Sequence, residues 1–384
     1  MGAPRSIVRL GGASAQLGGE GARMRSNTRV ALGALAGALA AALLLGGMLA
    51  AISAGAARPT YARPTYLTFV ANPQSEDPSV AIANAHGGDV RRLGHGSLAL
   101  ISPDGGSVAV VRTTSTRSGS NSTLSLYPSG GGSARVLYRS TDFISLFGWS
   151  ADSNLLLVYT PGGLKDTGPL MSIDAKSGVT HTIAKGAIGG ASFSEQGSDD
   201  VVYSLAQSMQ TTAPGDIYTS SATGSHVNQI TAGGNSTDPL WGPKGIVFVR
   251  QSSRGTGKAP LYELWFIEPS GAGARQLTHM SVGPLVDGLV PVAFSVTGSH
   301  LLADFPGTDT SAAWTVDLSS AKPVVRDLDG IADGNVPDGI SRNGETILID
   351  KGFEGTPYSL ETIPWGGGKP TVLVKHGGEG SWNY

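Results

Sequence analysis

The chain has 384 residues, of which 40% are apolar and 15% charged, with 56 Gly and 22 Pro. This composition is typical of a turn-rich globular β protein and excludes a disordered chain. Five of the 27 Lys and Arg residues but only one of the 29 Asp and Glu residues precede residue 30. The rest of the chain is therefore net acidic, which argues against a nucleic-acid partner. The lack of Cys excludes disulfides and thiolate chemistry.

The N-terminal part of the sequence predicts a membrane anchor. Residues 1–29 are basic and have no apolar period, so we expect a flexible cytoplasmic tail. Val30–Ile52 contains no charged residue, and as a helix it would be about 34 Å long, enough to span a hydrocarbon core of roughly 30 Å. The preceding arginines predict a cytoplasmic N-terminus and an extracytoplasmic remainder. The alternative is a signal segment cleaved near Ala56, which would give a secreted protein. Residues 53–65 form a linker.

A turn motif recurs along the rest of the chain. Ile101 to Gly105 reads Ile-Ser-Pro-Asp-Gly, which predicts a tight connection between two strands. Degraded copies each begin with an aromatic residue or Ile, at Ile101, Trp149, Phe193, Trp241, Phe294 and Ile340. A spacing of 44 to 53 residues indicates a solenoid, a propeller or another array.

The apolar runs between these turns predict four short strands in each repeat. The run after the turn occurs seven times, at 67–70, 108–111, 155–159, 201–205, 246–249, 301–305 and 346–349. Short strands at regular spacing, with no amphipathic helix after residue 53, predict an all-β, seven-bladed β-propeller over residues 66–384, with six blades as the alternative. The final segment, Ser381–Tyr384, supplies the fourth strand of the blade begun by Tyr66–Leu93. Trp149 and Trp241 are expected on inner strands, packed between blades.

The repeat resembles the WD40-like repeat of TolB-type β-propellers. Ile101–Gly105 matches the turn, Tyr262–Gly273 matches the strand that ends in a Gly-rich turn, and Arg275 to Thr278 matches the last strand, as does Gln229 to Thr231. The resemblance covers about residues 66–384 and implies a propeller fold. The other turns depart from Ser-Pro-Asp-Gly. The resemblance implies no particular partner, because these motif residues build turns and blade cores.

The sequence contains no recognisable catalytic or metal signature. There is no Gly-x-Ser-x-Gly elbow and no His-x-x-x-His spacing among the seven His residues. The acidic segment Asp327–Asp338 is similar to a calcium loop in composition but fails the EF-hand spacing. Turn formation is the main interpretation of this segment and calcium the alternative, so no cofactor is predicted.

The connections from each outer strand to the next inner strand are expected to line one mouth of the central channel. Acidic side chains outnumber basic ones there, and the residues are His95, Asp142, Lys185, Asp238, Asp287, Asp333, Asp338, His376 and Glu379. Converging carboxylates would focus a negative potential that attracts a cation or a basic peptide. Solvated turn residues without a ligand are the simpler interpretation.

These features predict a non-enzymatic propeller, anchored in the cell membrane and extracytoplasmic, that binds or scaffolds a protein or peptide of the cell envelope. The competing hypothesis is a ligand site or a cation-dependent enzyme at the channel mouth, acting as a hydrolase, a lyase or a sensor.

Overall fold

The computed structural model describes residues 65–116, 119–162, 167–206, 215–253, 260–283, 287–306, 311–328, 335–352 and 358–383. The predicted tail 1–29, the predicted span Val30–Ile52 and the linker up to residue 64 lie outside these residues. Within the described ranges, no helix is long and apolar enough to cross a membrane.

The described residues form 27 strands, all paired antiparallel, in six sheets. The first two sheets contain β1 (Tyr66–Ala71), β2 (Ser79–Asn84) and β3 (Arg91–His95), and then β4 (Leu98–Ile101), β5 (Ser107–Thr116), β6 (Gly119–Pro128) and β7 (Arg135–Ser140). A seven-stranded sheet contains β8 (Ser145–Trp149), β9 (Leu155–Tyr159), β10 (Gly168–Asp174), β11 (Thr180–Phe193), β12 (Asp200–Ala206), β13 (Asp216–Ser221) and β14 (Asn228–Gln229).

Three four-stranded sheets follow, and the last strand returns to the first sheet. They contain β15 (Ser236–Gly242), β16 (Gly245–Ser252), β17 (Leu261–Ile267) and β18 (Arg275–Gln276); β19 (Val290–Phe294), β20 (His300–Pro306), β21 (Ser311–Asp317) and β22 (Val324–Asp327); and β23 (Asn335–Ile340), β24 (Thr346–Lys351), β25 (Ser359–Pro364) and β26 (Thr371–Lys375). The final strand, β27 (Gly377–Trp382), pairs with β1, so the first sheet has the order β27-β1-β2-β3. The all-β prediction is confirmed.

The seven-stranded sheet owes its size to one long strand, β11. Residues 180–186 of β11 pair with β10, and residues 187–193 pair with β12. The first half is therefore the fourth strand of one repeat, and the second half is the first strand of the next.

The recurring turn is held by its own polar side chains. Ser102 Oγ donates to Asp104 Oδ1 over 2.6 Å and accepts from the backbone N–H of Ser107 over 3.0 Å. Gly105, with φ of 70°, takes the left-handed conformation that the turn requires. The same pattern recurs in a degraded copy, where Ser341 Oγ donates to the side-chain oxygen of Asn343. The predicted turn role of these residues is confirmed.

The Gln-Leu-Thr and Gln-Ile-Thr segments cap the neighbouring strand. Thr278 Oγ1 accepts from the N–H of Leu264 over 2.9 Å and donates to Glu263. Thr231 Oγ1 accepts in the same way from the N–H of Ile217 over 2.8 Å. A threonine hydroxyl thus replaces a backbone carbonyl where β14 and β18 are only two residues long, so these N–H groups are not left unpaired.

The apolar core consists of seven clusters among the described residues, each formed between two neighbouring repeats. Successive side chains of a strand point to opposite faces of the sheet. The second strand of each repeat therefore contributes side chains to two clusters. In β5, Val108 and Val110 pack toward the first sheet. Ala109 and Val111 pack toward β9 on the other side.

The first sheet is closed by strand β27. Leu67 lies opposite Trp382 and Thr68 opposite Ser381, and the side-chain oxygen of Asn383 accepts from the N–H of Tyr66 over 2.7 Å. The prediction that the C-terminal segment completes the blade begun by Tyr66 is confirmed for residues 381–383. Tyr384 lies outside the described residues.

We predict that Trp241→Ala lowers the free energy of unfolding by about 3 to 5 kcal/mol, as large aromatic truncations in cores do. Trp241 lies in β15, is 5% exposed and packs between two repeats. The control is Val227→Ala, because Val227 is 54% exposed and its truncation should change stability by less than about 0.5 kcal/mol. Urea denaturation of the two variants measures both values. A loss below about 1 kcal/mol for Trp241→Ala would mean that its ring is not part of the core.

Candidate functional site

The residues of the predicted acidic rim lie in two kinds of position. We call the first strand in the sheet order of each repeat, such as β15, β23 and β27, the inner strand of its repeat. Three of the predicted rim residues lie within inner strands, at β-bulges, and not in the connections where they were expected: Asp238 in β15, Asp338 in β23 and Glu379 in β27. The left-handed φ angles of Asp238 (47°) and Glu379 (53°) belong to these bulges. Lys185 lies within β11. His95, Asp142, Asp287 and His376 lie at strand ends or in connections. Asp333 lies outside the described residues.

His95 belongs to a mixed-charge cluster at the outer edge of the first sheet. Its ring Nδ1 lies 2.9 Å from a carboxylate oxygen of Asp77, and Arg112 approaches the same carboxylate to 3.3 Å. Arg92 contacts the His95 ring at 2.6 Å. The cluster is half exposed, so these pairs contribute little to stability.

Besides burial, Asp287 and Asp238 both raise the pKa of the Tyr262 phenol. Burial first, and then the carboxylates of Asp287 and Asp238, raise the pKa of Tyr262 to about 12. The backbone carbonyl of Asp287 also accepts from the N–H of Tyr262 over 2.6 Å. The structure therefore brings these two predicted rim residues together around Tyr262.

Asp338 and Glu379 meet at the seam where β27 joins the last repeat. Asp338 Oδ2 accepts from the N–H of Gly380 over 3.1 Å, and Asp350 Oδ2 accepts from the N–H of Glu379 over 3.1 Å. The bulge in β27 turns these two N–H groups away from β1, and the two carboxylates of the last repeat accept them. Hydrogen bonds to a charged acceptor are stronger than neutral ones. At least part of the predicted rim therefore attaches the closing strand.

No group of three or more His, Asp and Glu side chains in the described ranges could hold a metal ion. Of the segment considered for calcium, residues 329–334 lie outside those ranges.

A cavity of about 300 Å³ lies at the other ends of the inner strands, next to the recurring turns. Four inner strands, β4, β8, β23 and β27, end at this cavity. Its walls are mostly apolar, and its lining residues are Leu100, Ile101, Pro103, Gly148, Trp149, Ile340, Arg342, Ser381, Trp382 and Asn383. We call it the turn-side cavity. Its volume is at the lower end of the range for ligand pockets, roughly 300 to 1,000 Å³.

The sequence contained a signal for the turn-side cavity, but one that could not be interpreted without the structure. The aromatic or Ile position that opens each turn lines the cavity in four copies, as Ile101, Trp149, Ile340 and Trp382. From the sequence, the motif residues are expected to build turns and blade cores. Burial of Trp241 and half-burial of Trp149 distinguish two copies that look alike in sequence.

No protein-family model matches this sequence, and no curated protein matches it. Solved structures do match its fold. TolB from Acinetobacter baumannii is 15% identical, with a TM-score of 0.50, over 80% of this chain and 79% of that one. Oligogalacturonate lyase in complex with manganese is 14% identical, with a TM-score of 0.54, over 74% of this chain and 82% of that one. The fold is a TolB-like β-propeller.

The β-propeller domain of the Trilobed protease from Pyrococcus furiosus is 11% identical, with a TM-score of 0.53, over 71% of this chain and 82% of that one. That domain is described as having an open velcro topology. The present chain differs, because β27 and β1 pair in one sheet. These identities are low and the relatives differ in activity, so the likeness establishes the fold and not the function.

We predict that Asp338→Asn destabilises the protein by about 1 to 2 kcal/mol, because it replaces a charged acceptor of the Gly380 N–H by a neutral one. The control is Glu345→Gln, whose exposed carboxylate accepts from the exposed side chain of Asn343 and should matter by less than about 0.5 kcal/mol. Urea denaturation measures both. Equal effects of the two substitutions would contradict a closing role for Asp338.

Proposed function

We propose that this chain is a non-enzymatic binding module of the cell envelope: a seven-bladed β-propeller, tethered to the membrane by Val30–Ile52, that faces away from the cytoplasm and binds a protein or peptide. The observation that carries the binding role is the turn-side cavity. Two half-buried tryptophans, Trp149 and Trp382, line an opening where four inner strands end. Concave, mostly apolar openings with a few polar groups are the usual form of a binding site.

The count of seven blades is supported by β11 and by the core. Dividing the seven-stranded sheet at the middle of β11 gives two four-stranded units, and with the five other sheets this makes seven. Each of the seven apolar clusters joins one such unit to the next, and one of them joins the last unit to the first through Leu348 and Phe69.

The membrane tether and the outward orientation are supported by the sequence. The uncharged run Val30–Ile52 is long enough to span a bilayer, and the arginines that precede it favour a cytoplasmic N-terminus. The predicted linker, residues 53–65, then puts 13 residues between the predicted span and the first strand. A partner in the cell envelope would therefore be within reach of the turn-side cavity.

The alternative, a cation-dependent enzyme, has less support. Its strongest point is the acidic seam, yet Asp338 and Asp350 already accept backbone hydrogen bonds there. The described part of the chain also contains no group of three side chains suited to a metal ion.

One experiment tests location and binding together, and it uses the absence of Cys in the chain. The full chain is expressed in cells of its own organism with a single new thiol. The thiol is introduced either by Pro103→Cys at the cavity or by Val227→Cys on an exposed edge. A copy of the same turn has Ala151 at the position of Pro103, so the first substitution suits the turn. A membrane-impermeant maleimide that carries a photo-crosslinker then labels intact cells.

Both variants should be labelled without permeabilisation, and irradiation should crosslink a defined partner from position 103 but not from position 227. Labelling only after permeabilisation would contradict the extracytoplasmic orientation. Identical crosslinked products from both positions would contradict binding at the turn-side cavity.

A further inference from the structure

The turn-side cavity is open in only part of the ring. Burial of the residue that opens the turn varies from copy to copy. Phe193 and Trp241, away from the cavity, are 6% and 5% exposed, Ile101 and Ile340 at the cavity are 5% and 8% exposed, and Phe294 is half-buried. Gly242 lies so close to the Phe294 ring that an added Cβ would sit 2.4 Å from it. By contrast, Trp149 and Trp382 are half-buried and line the opening. Among the residues that open the turns at the cavity, the two tryptophans therefore present the exposed surface.

Several polar groups of the cavity lining already serve the fold. The Trp149 indole N–H donates to the carbonyl of Leu100 over 3.1 Å. The side-chain oxygen of Asn383 accepts from the N–H of Tyr66 over 2.7 Å, and Ser381 Oγ accepts from the N–H of Ile101 over 3.4 Å. These bonds leave the apolar surface of the Trp149 ring available to the cavity.

Arg342 is the one charged residue of the cavity lining. It occupies the position two residues after the one that opens the turn. In the other described copies that position is Pro103, Ala151, Glu195, Pro243 and Val296. The turn therefore does not require a cation there. Arg342 is exposed, and its backbone carbonyl accepts from the N–H of Val296, so its side chain can change without removing this bond.

An apolar cavity with one guanidinium at its edge suits a ligand that carries a carboxylate beside an apolar group. Guanidinium binds carboxylate through paired hydrogen bonds. A volume of about 300 Å³ holds little more than one amino-acid residue. In a peptide, one residue presents both an apolar side chain and a carboxylate only at the C-terminus, and capture of C-terminal carboxylates is an established mode of peptide recognition.

We propose that the turn-side cavity binds the C-terminal residue of a partner peptide, with the apolar side chain between Trp149, Ile340 and Trp382 and the terminal carboxylate on Arg342. This assignment rests on the proposed binding function and specifies its ligand.

The test uses the full chain in nanodiscs and isothermal titration calorimetry with four probes. These are acetyl-Ala-Ala-Leu with a free carboxylate, the same peptide as its C-terminal amide, acetyl-Ala-Ala-Gly with a free carboxylate, and acetyl-leucine. The leucine peptide acid should bind most tightly. The amide and the glycine peptide should each bind at least about tenfold more weakly than the leucine peptide acid. The amide lacks the negative charge, and the glycine peptide lacks the apolar side chain.

Arg342→Gln should weaken binding of the leucine peptide acid about tenfold and leave binding of the amide unchanged. The matched control is Arg326→Gln, which removes an exposed arginine from the outer strand β22 and should change neither. Equal binding of acid and amide, or equal loss in both variants, would overturn the assignment. Equal binding of acetyl-leucine and the leucine peptide would overturn the peptide as the ligand in favour of a small free acid.

Failure of this inference can be told apart from failure of the proposed function. If no probe binds the folded protein while the Pro103→Cys variant still crosslinks a partner outside the cytoplasm, only the C-terminal assignment fails. If the leucine peptide binds but position 103 is labelled only after permeabilisation, the envelope role fails and the cavity assignment stands.

Discussion

The pairing of β27 with β1 is the interaction on which the rest of this structure depends. Each repeat buries apolar side chains on both faces of its sheet, so every repeat needs a neighbour on each side. Without β27, the first sheet would lose its inner strand and expose a row of unpaired backbone groups along β1. The two strands come from opposite ends of the described chain, with Leu67 opposite Trp382. Closing so long a loop is entropically costly, and the seam between the last and the first repeat must offset that cost.

This requirement gives two acidic residues of the last repeat a structural role. Asp338 and Asp350 accept the two N–H groups that the bulge in β27 turns away from the ladder. Carboxylates at this seam are therefore explained without a ligand. The open surface with the features of a binding site lies at the other ends of the inner strands, where tryptophans and one arginine replace the acidic side chains.

The sequence predicted those parts of the fold that follow from local chemistry repeated many times. Ser102 and Asp104 close a turn through bonds within a few residues, and each β-strand alternates between two core clusters. Both features have a short period and can be identified without a structure. The closing strand was also predictable, because one repeat lacked its fourth strand.

The turn-side cavity could not be predicted, because it depends on how side chains from different repeats pack against one another. Trp149 and Trp241 occupy the same place in the repeat and differ in burial. The two rings belong to different clusters, with residues of β5 and β9 around Trp149 and residues of β12 and β16 around Trp241. The bulges that place Asp238 and Glu379 within inner strands were missed for a related reason. A bulge is a mismatch between two paired strands, and neither strand alone shows it.

The most direct test of this account is deletion of Gly380–Tyr384 from the full chain, followed by thermal unfolding. The deletion removes the residues that pair with Leu67 and Thr68, and it removes Trp382 from its core cluster. We expect a loss of at least about 4 kcal/mol, comparable to a large core truncation, with a lower melting temperature and aggregation through the exposed edge of β1. Deletion of Met1–Arg5 serves as the control and should have no such effect. An unchanged melting temperature and no aggregation after deletion of Gly380–Tyr384 would contradict the closed ring.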